Sequence, residues 1–398
     1  MHHPMRHPVR RRAAALAALL LAATACTAEQ PHPTTALGTR KPTGTPTPSV
    51  TPKSGPAGGG ARARGFTLAA SGDVLPHDSI IRQAAADADG DGYDFRKMFA
   101  AARPVISKAD LALCHMETVY GEKGDYSGYP AFKSPPQVAR ALADTGYDGC
   151  STASNHTLDD GADGIERTLD AMDEAGLKHA GSARTAKEAR TPVMLRAGGA
   201  KVAHIAATYG TNGYPLPAGR PWAVDLLDTD KVIAKARAAR RAGADVVVLS
   251  PHWGTEWQDA PDARQLRLAR ELTASRTAGR PDIDLVIGTH AHVPQAYEKV
   301  NGTWVVYGLG DQLAGEMVNH EGERDPRGNQ STIGRFTFVP PKKAGGRWQV
   351  ARAEFVPQYF DPDTARGADL DEHEETRDRI RRVALSRGAG KQGLREAE

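Results

Sequence analysis

Residues 244–256 read Ala-Asp-Val-Val-Val-Leu-Ser-Pro-His-Trp-Gly-Thr-Glu, and this stretch decides the fold. Val246, Val247, Val248 and Leu249 are a short continuous apolar run, the mark of a strand buried on both faces. It ends directly in the polar cluster His252, Trp253, Gly254, Thr255 and Glu256. Four other runs repeat the arrangement: residues 66–74 carry Gly72-Asp73, 109–114 lead into His115-Met116-Glu117, 148–153 into Ser154-Asn155-His156, and 283–288 into Thr289-His290-Ala291-His292. Helical patterns separate them at 95–108, 135–145, 163–175, 229–242 and 263–278. Strand alternating with helix predicts a layered α/β domain. Residues 193–207, broken by Gly198-Gly199, predict a hairpin, and 303–307, 335–339 and 348–359 predict later strands of antiparallel character.

In an open α/β sheet the strand ends converge on one crevice, so groups distant in sequence become neighbours. Here the crevice would gather Asp, Glu, Asn and several His. Oxygen and imidazole donors without thiolate suit Mn, Fe, Zn or Mg better than a structural zinc. His290 and His292 stand two apart where the chain leaves its strand, so their rings can reach different ions. Two ions about 3.5 to 4 Å apart can clamp the attacking and leaving oxygens of a displacement. A lone His at a strand end is more often held by backbone; five clusters in phase with five strands point to a metal site.

The same residues resemble a known family. Gly72-Asp73, Asp110-Leu-Ala, Met116-Glu117-Thr118, Ser154-Asn155-His156-Thr-Leu-Asp159 with Gly161, His252 through Glu256, Gly288 through His292 and Tyr307-Gly-Leu-Gly310 resemble the CapA family of poly-γ-glutamate capsule biosynthesis proteins. The domain of that family is similar to the calcineurin-like metallophosphoesterases. The resemblance implies a metallophosphoesterase-like α/β sandwich of mixed sheets flanked by helices. It also implies two divalent ions, with Asp73 and His292 on one, Asn155, His252 and His290 on the other, and Glu117 bridging. His156 would be the general acid, and Asp159 and Glu256 would orient the histidines from behind. The implied activity is hydrolysis or transfer on an acidic polymer or a phosphoester. The alternative is a non-catalytic, lipid-anchored accessory that binds polymer or assists the proteins of polymer synthesis and export.

Four positions depart from the pattern. Leu75 stands where a His is expected two residues after Asp73, His115 where the CapA pattern has Asn, Asp311 where it has Asn, and Thr289 where a His is expected. His77 and His115 are the candidates to complete the first metal's ligands, and Asp311 joins the orienting residues. Asp87-Ala-Asp89-Gly-Asp91-Gly92 opens like a calcium loop, but its twelfth position is Met98 rather than a bidentate Glu, so an acidic turn is expected.

The 398 residues, 40% hydrophobic and 25% charged, exclude a collagen-like, coiled-coil or wholly disordered chain. The formal charge is +3 and the sequence pI about 8.7. Arg6, Arg10, Arg11 and Arg12 precede an apolar run that ends in Ala-Ala-Thr-Ala-Cys26. Residues 1–25 thus read as a signal peptide and Cys26 as a lipidated residue resembling the bacterial lipobox, with Sec or twin-arginine export both open. Residues 26–65 read as a Pro/Thr/Gly-rich tether, basic through Arg40, Lys41, Lys53, Arg62 and Arg64. Without these segments the chain is acidic, so nucleic acid is not an expected partner. The expected location is the extracytoplasmic face of the membrane, held by the lipid. Residues 66–365 are expected to fold, with 366–398 as a charged tail ending in a frayed surface helix. Cys114 and Cys150 fit a single bridge or, the plainer expectation, two buried free thiols.

Overall fold

The computed structural model describes residues 64–343 and 346–397. The expected signal peptide, Cys26 and the tether up to residue 63 lie outside the described residues. Among the described residues no helix is long and apolar enough to cross a membrane. Arg64, at the end of the expected tether, is already fixed: its N–H donates to the Gly198 carbonyl at 3.0 Å and its guanidinium to Asp110.

Chain order is β1 (Phe66–Leu75), α1 (Asp78–Asp87), β2 (Leu111–Met116), α2 (Gln137–Thr145), β3 (Gly149–Ser151), α3 (Gly161–Glu174) and β4 (Lys178–Ala180). Then come β5 (Val193–Ala197), β6 (Ala200–Thr208), α4 (Thr229–Arg241), β7 (Val246–His252), α5 (Ala263–Ala274), β8 (Leu285–Ile287), β9 (Tyr297–Val300) and β10 (Thr303–Val306). The last part holds β11 (Asp311–Ala314), β12 (Gln330–Val339), β13 (Gln349–Asp361), β14 (Arg366–Gly367), α6 (Glu374–Leu385) and β15 (Leu394–Glu396). One sheet has the order β14-β13-β12-β1-β2-β3-β4, with β11 on β1 and β15 on β13; the other runs β9-β10-β8-β7-β6-β5.

The apolar runs account for this layering. Phe66, Leu68, Phe336 and Phe338 of the first sheet share one buried cluster with Val246, Val248, Leu285 and Ile287 of the second, so the sheets face each other across a common core. The opposite faces take helices: Ile80, Val138, Leu142 and Met172 pack on the first sheet, and Val232, Ala236, Leu268 and Leu272 on the second. The result is the expected layered sandwich of mixed sheets flanked by helices. The helix expected at 95–108 is reduced to Arg103–Ile106, preceded by turns, because Pro104 lacks an N–H and fits only a helix start. The segment from 366 onward is not a frayed tail. Ile380 and Ala384 are buried, Arg377 and Arg381 both hold Glu396, and β15 pairs in parallel with β13. Its charge masks a narrow apolar stripe that the composition does not show.

The free-thiol expectation is also corrected. Cys114 and Cys150 lie in register on the parallel pair β2 and β3, with Cα atoms 4.4 Å apart, and form a disulfide. The acidic turn at Asp87 is used internally, since both Asp87 oxygens accept from Arg366.

Candidate metal centre

Backbone geometry builds the site before any side chain does. Asp73 lies on β1 where the register with β11 shifts, opposite Asp311. On the other side of β1, His115 of β2 is its register partner. From the second sheet, β7 delivers His252, bridged to Thr289 just past β8. His290 and His292 then take φ of +96° and +60°, in a region non-glycine residues seldom adopt and that is costly to hold. These turns aim the His290 N–H at Asp73 Oδ2, 3.0 Å away, and set the two rings 6.0 Å apart. The loop after β7 is anchored below: Asp262 and Gln265 form a capping box at the start of α5, and Thr255 donates to Asp262.

Three groups of side chains have ligand atoms within 4.8 Å of one another: Asp73, His115 and His252; Glu117, His290 and His292; and Asp73, His292 and Asp311. All seven residues are buried. Six lone-pair atoms here lack a hydrogen-bond partner, namely Asp73 Oδ1, His115 Nε2, both Glu117 oxygens, His290 Nδ1 and Asp311 Oδ2. An unpaired buried polar atom costs about 1–3 kcal/mol, so such a concentration is tolerable only around something that accepts lone pairs. A divalent cation fits.

The electrostatics point the same way. Burial, reinforced by Asp311, holds Asp73 well above the ordinary carboxylate range. Burial and Asp73 do the same to Glu117, and burial raises Asp311. Burial pushes His115 down to about 3 and drives His252 and His290 well below the usual imidazole value, with neighbouring imidazoles adding to the effect in the last two. His292 goes the other way: burial lowers it, but Asp311 and Glu117 outweigh burial and hold it high. Clustered carboxyls, three imidazoles held neutral and one held charged are the protonation states that metal binding would reorganise.

The remaining sequence-derived residues fall into place around this cluster. Asn155 Oδ1 lies 2.7 Å from His252 Nε2, which is 3.6 Å from Glu117 Oε1. His156 Nδ1 is 2.6 Å from Asp159 Oδ2, which also accepts the Phe132 N–H at 2.8 Å. Glu256 is 3.9 Å from His290 Nε2. Asp311, read from the sequence as an orienting residue, also sits among the ligand-capable groups. His77 is outside them, with Nδ1 3.0 Å from the Leu75 carbonyl and 3.1 Å from the Gly315 N–H. Thr289, read from the sequence only as a departure from the pattern, lies against His252. Several participants were missed: Ser151 against His115, Tyr209 packed on His290, Asn212 bonded to Asn155, and His320 beside Glu256. Tyr209 and Asn212 directly follow β6, so the strand-end rule applied to the predicted hairpin would have found them.

The chain is 29% identical over 179 residues to the capsule biosynthesis protein CapA of Bacillus anthracis, covering 44% of this chain and 42% of that protein. It is 28% identical over 223 residues to the PGA biosynthesis protein CapA of Bacillus subtilis, covering 54% and 56%. The chain thus spans about half the length of the curated relatives it matches. Among solved structures, the calcineurin-like phosphoesterase YfkN of Bacillus subtilis aligns with a TM-score of 0.43 at 16% identity, over 80% of this chain and 98% of that one. The family model described as bacterial capsule synthesis protein PGA_cap matches residues 67–316, from β1 through β11 and every strand end described above. The chain belongs to the bacterial capsule synthesis protein family PGA_cap.

Proposed function

We propose that this protein is a metal-dependent hydrolase or transferase of metallophosphoesterase type that acts on an acidic extracellular polymer, poly-γ-glutamate or a related capsule chain. One observation carries the reading: six unpartnered lone-pair atoms from Asp73, His115, Glu117, His290 and Asp311 converge in a buried cluster. The names of the two CapA relatives, which concern capsule and PGA biosynthesis, support the substrate class. The basic, apolar and Cys26-bearing N-terminus supports placement on the extracytoplasmic face of the membrane, held by a lipid anchor.

Divalent ions held by Asp73, Glu117, His252, His290, His292 and Asp311 would supply Lewis acidity and local positive charge for an anionic chain. Asn155 would add an amide oxygen to the same donors. His156 does the proton work. A carboxylate only accepts, so the Asp159 contact keeps the proton on His156 Nδ1 and leaves Nε2 to hold or release one at a leaving atom. Phe132, whose ring meets His156 edge-on at 4.8 Å, limits the tilt of the imidazole. Tyr209 packs on the ring of His290, with centroids 4.4 Å apart.

The test uses the full chain: bound metal measured by elemental analysis, then turnover of phosphodiester and γ-glutamyl substrates with added Mn. The expected result is metal-dependent turnover that His156→Ala abolishes without releasing metal. A folded, metal-loaded protein that turns over neither class, but retains poly-γ-glutamate, overturns the enzymatic reading in favour of an accessory that only binds polymer.

A further inference from the structure

Two residues after Asp73, where the phosphoesterase pattern supplies an imidazole, the chain has Leu75, which packs with Phe132, Ala314 and Met317. His77 does not replace it, because its Nδ1 faces Leu75 and Gly315 and its ring meets the edge of Phe132. The neighbouring strand holds the substitute. β2 runs parallel to β1 with His115 in register with Asp73, and adjacent register partners project from the same face of a sheet. His115 Nε2 lies 3.6 Å from Asp73 Oδ1, and neither atom has a hydrogen-bond partner. The other ring nitrogen is fixed 2.7 Å from Ser151 Oγ, one strand further along and in register with His115. A ligating imidazole ordinarily has its second nitrogen held in this way. The ring also stacks on that of His252, 4.7 Å away, and Asp73, His115 and His252 bring their ligand atoms together.

We infer that His115 is a metal ligand, grouped with Asp73 and with His252, which the family resemblance assigned to the other ion, in a chain that lacks the imidazole expected at position 75. The inference rests on the metal-dependent reading above and specifies how one of this chain's sites is built. The ligand has moved sideways across a strand pair instead of along one strand. The cross-strand register supplies the geometry that the turn after Asp73 would otherwise supply.

The full chain, stripped with chelator and titrated with cobalt(II), tests this through visible absorption and equilibrium dialysis. The expected result is that His115→Ala weakens one class of cobalt site roughly tenfold or more relative to the unaltered chain, with a changed ligand-field spectrum, while His77→Ala leaves both unchanged. His115→Leu fills the ring's space without a ligand atom and must show the same loss; melting of the chelated proteins reports folding separately. Undiminished cobalt affinity and an unchanged spectrum in a folded His115 variant overturn the inference and leave the metal-dependent reading standing. An unaltered chain that takes up no cobalt overturns both.

Discussion

A Cβ atom on Gly72 would stand 1.7 Å from the carbonyl oxygen of Gly310. The two glycines bring β1 against the turn that leads into β11, and the Asp73 N–H donates to that same carbonyl at 3.1 Å. Gly310 holds φ +77°. The close approach places Asp73 opposite Asp311. Gly72→Ala must separate the strands, at about 1–3 kcal/mol or more for forced overpacking. We expect a lowered urea midpoint together with weakened metal uptake. A variant with wild-type stability and metal content would show that the approach does not set the site.

Asp159 accepts from His156 Nδ1 and from the Phe132 N–H through one oxygen. Asp159→Ala removes the oxygen that accepts both contacts. The imidazole then loses its fixed tautomer, and kcat should fall roughly 10- to 100-fold while bound metal stays constant. The pH profile of kcat should change shape, which a purely structural role would not produce. Unaltered kcat at every pH would remove Asp159 from the reaction.

Much of this site was legible because buried strands announce themselves as apolar runs and the chemistry follows them directly. Val246 through Glu256 shows both features, and β7 ends at His252, where the polar cluster begins. Pairing between strands was not legible. Nothing in the spacing of Asp73 and His115, or of Cys114 and Cys150, says that each pair lies in register, because register is fixed by the shared core and not by local pattern. The C-terminal segment misled for a related reason. The buried stripe of Ile380 and Ala384 is only two residues wide amid arginines, and the partner of β15 is forty residues or so upstream.

His204 is buried, with Nε2 2.9 Å from Ser250 Oγ, and burial pushes its pKa down to about 4. The unfolded chain titrates near 6.5, so below that pH the unfolded state binds a proton that the folded state resists. The stability contributed by neutral His204 is therefore complete above about pH 6.5 and is lost as pH falls toward about 4. Fully expressed, the loss is about 3 kcal/mol. His204→Gln can keep a bond to Ser250 but cannot titrate. Urea unfolding at pH 7 and pH 4.5 should show a smaller acid loss in the variant than in the unaltered chain. Equal losses would contradict the assignment.

The Cys114–Cys150 bridge joins residues 36 apart in sequence, and closing a loop of that size removes about 4 kcal/mol of freedom from the unfolded chain on the chain-entropy view. Its place adds a second consequence. The residues that follow the two cysteines, His115 and Ser151, are register partners and hydrogen-bonded to each other. The bridge thus clamps the two strands one residue before the imidazole that faces Asp73. A Cys114→Ala/Cys150→Ala double variant should unfold at lower urea, and reductant should have no further effect on it. Reduction of the unaltered chain should lower its midpoint toward that of the variant. Cobalt affinity should fall in both cases, because the ring loses part of its support while every ligand remains. If stability falls and cobalt affinity does not, the disulfide fastens the strands without positioning His115, and Ser151 alone holds the ring.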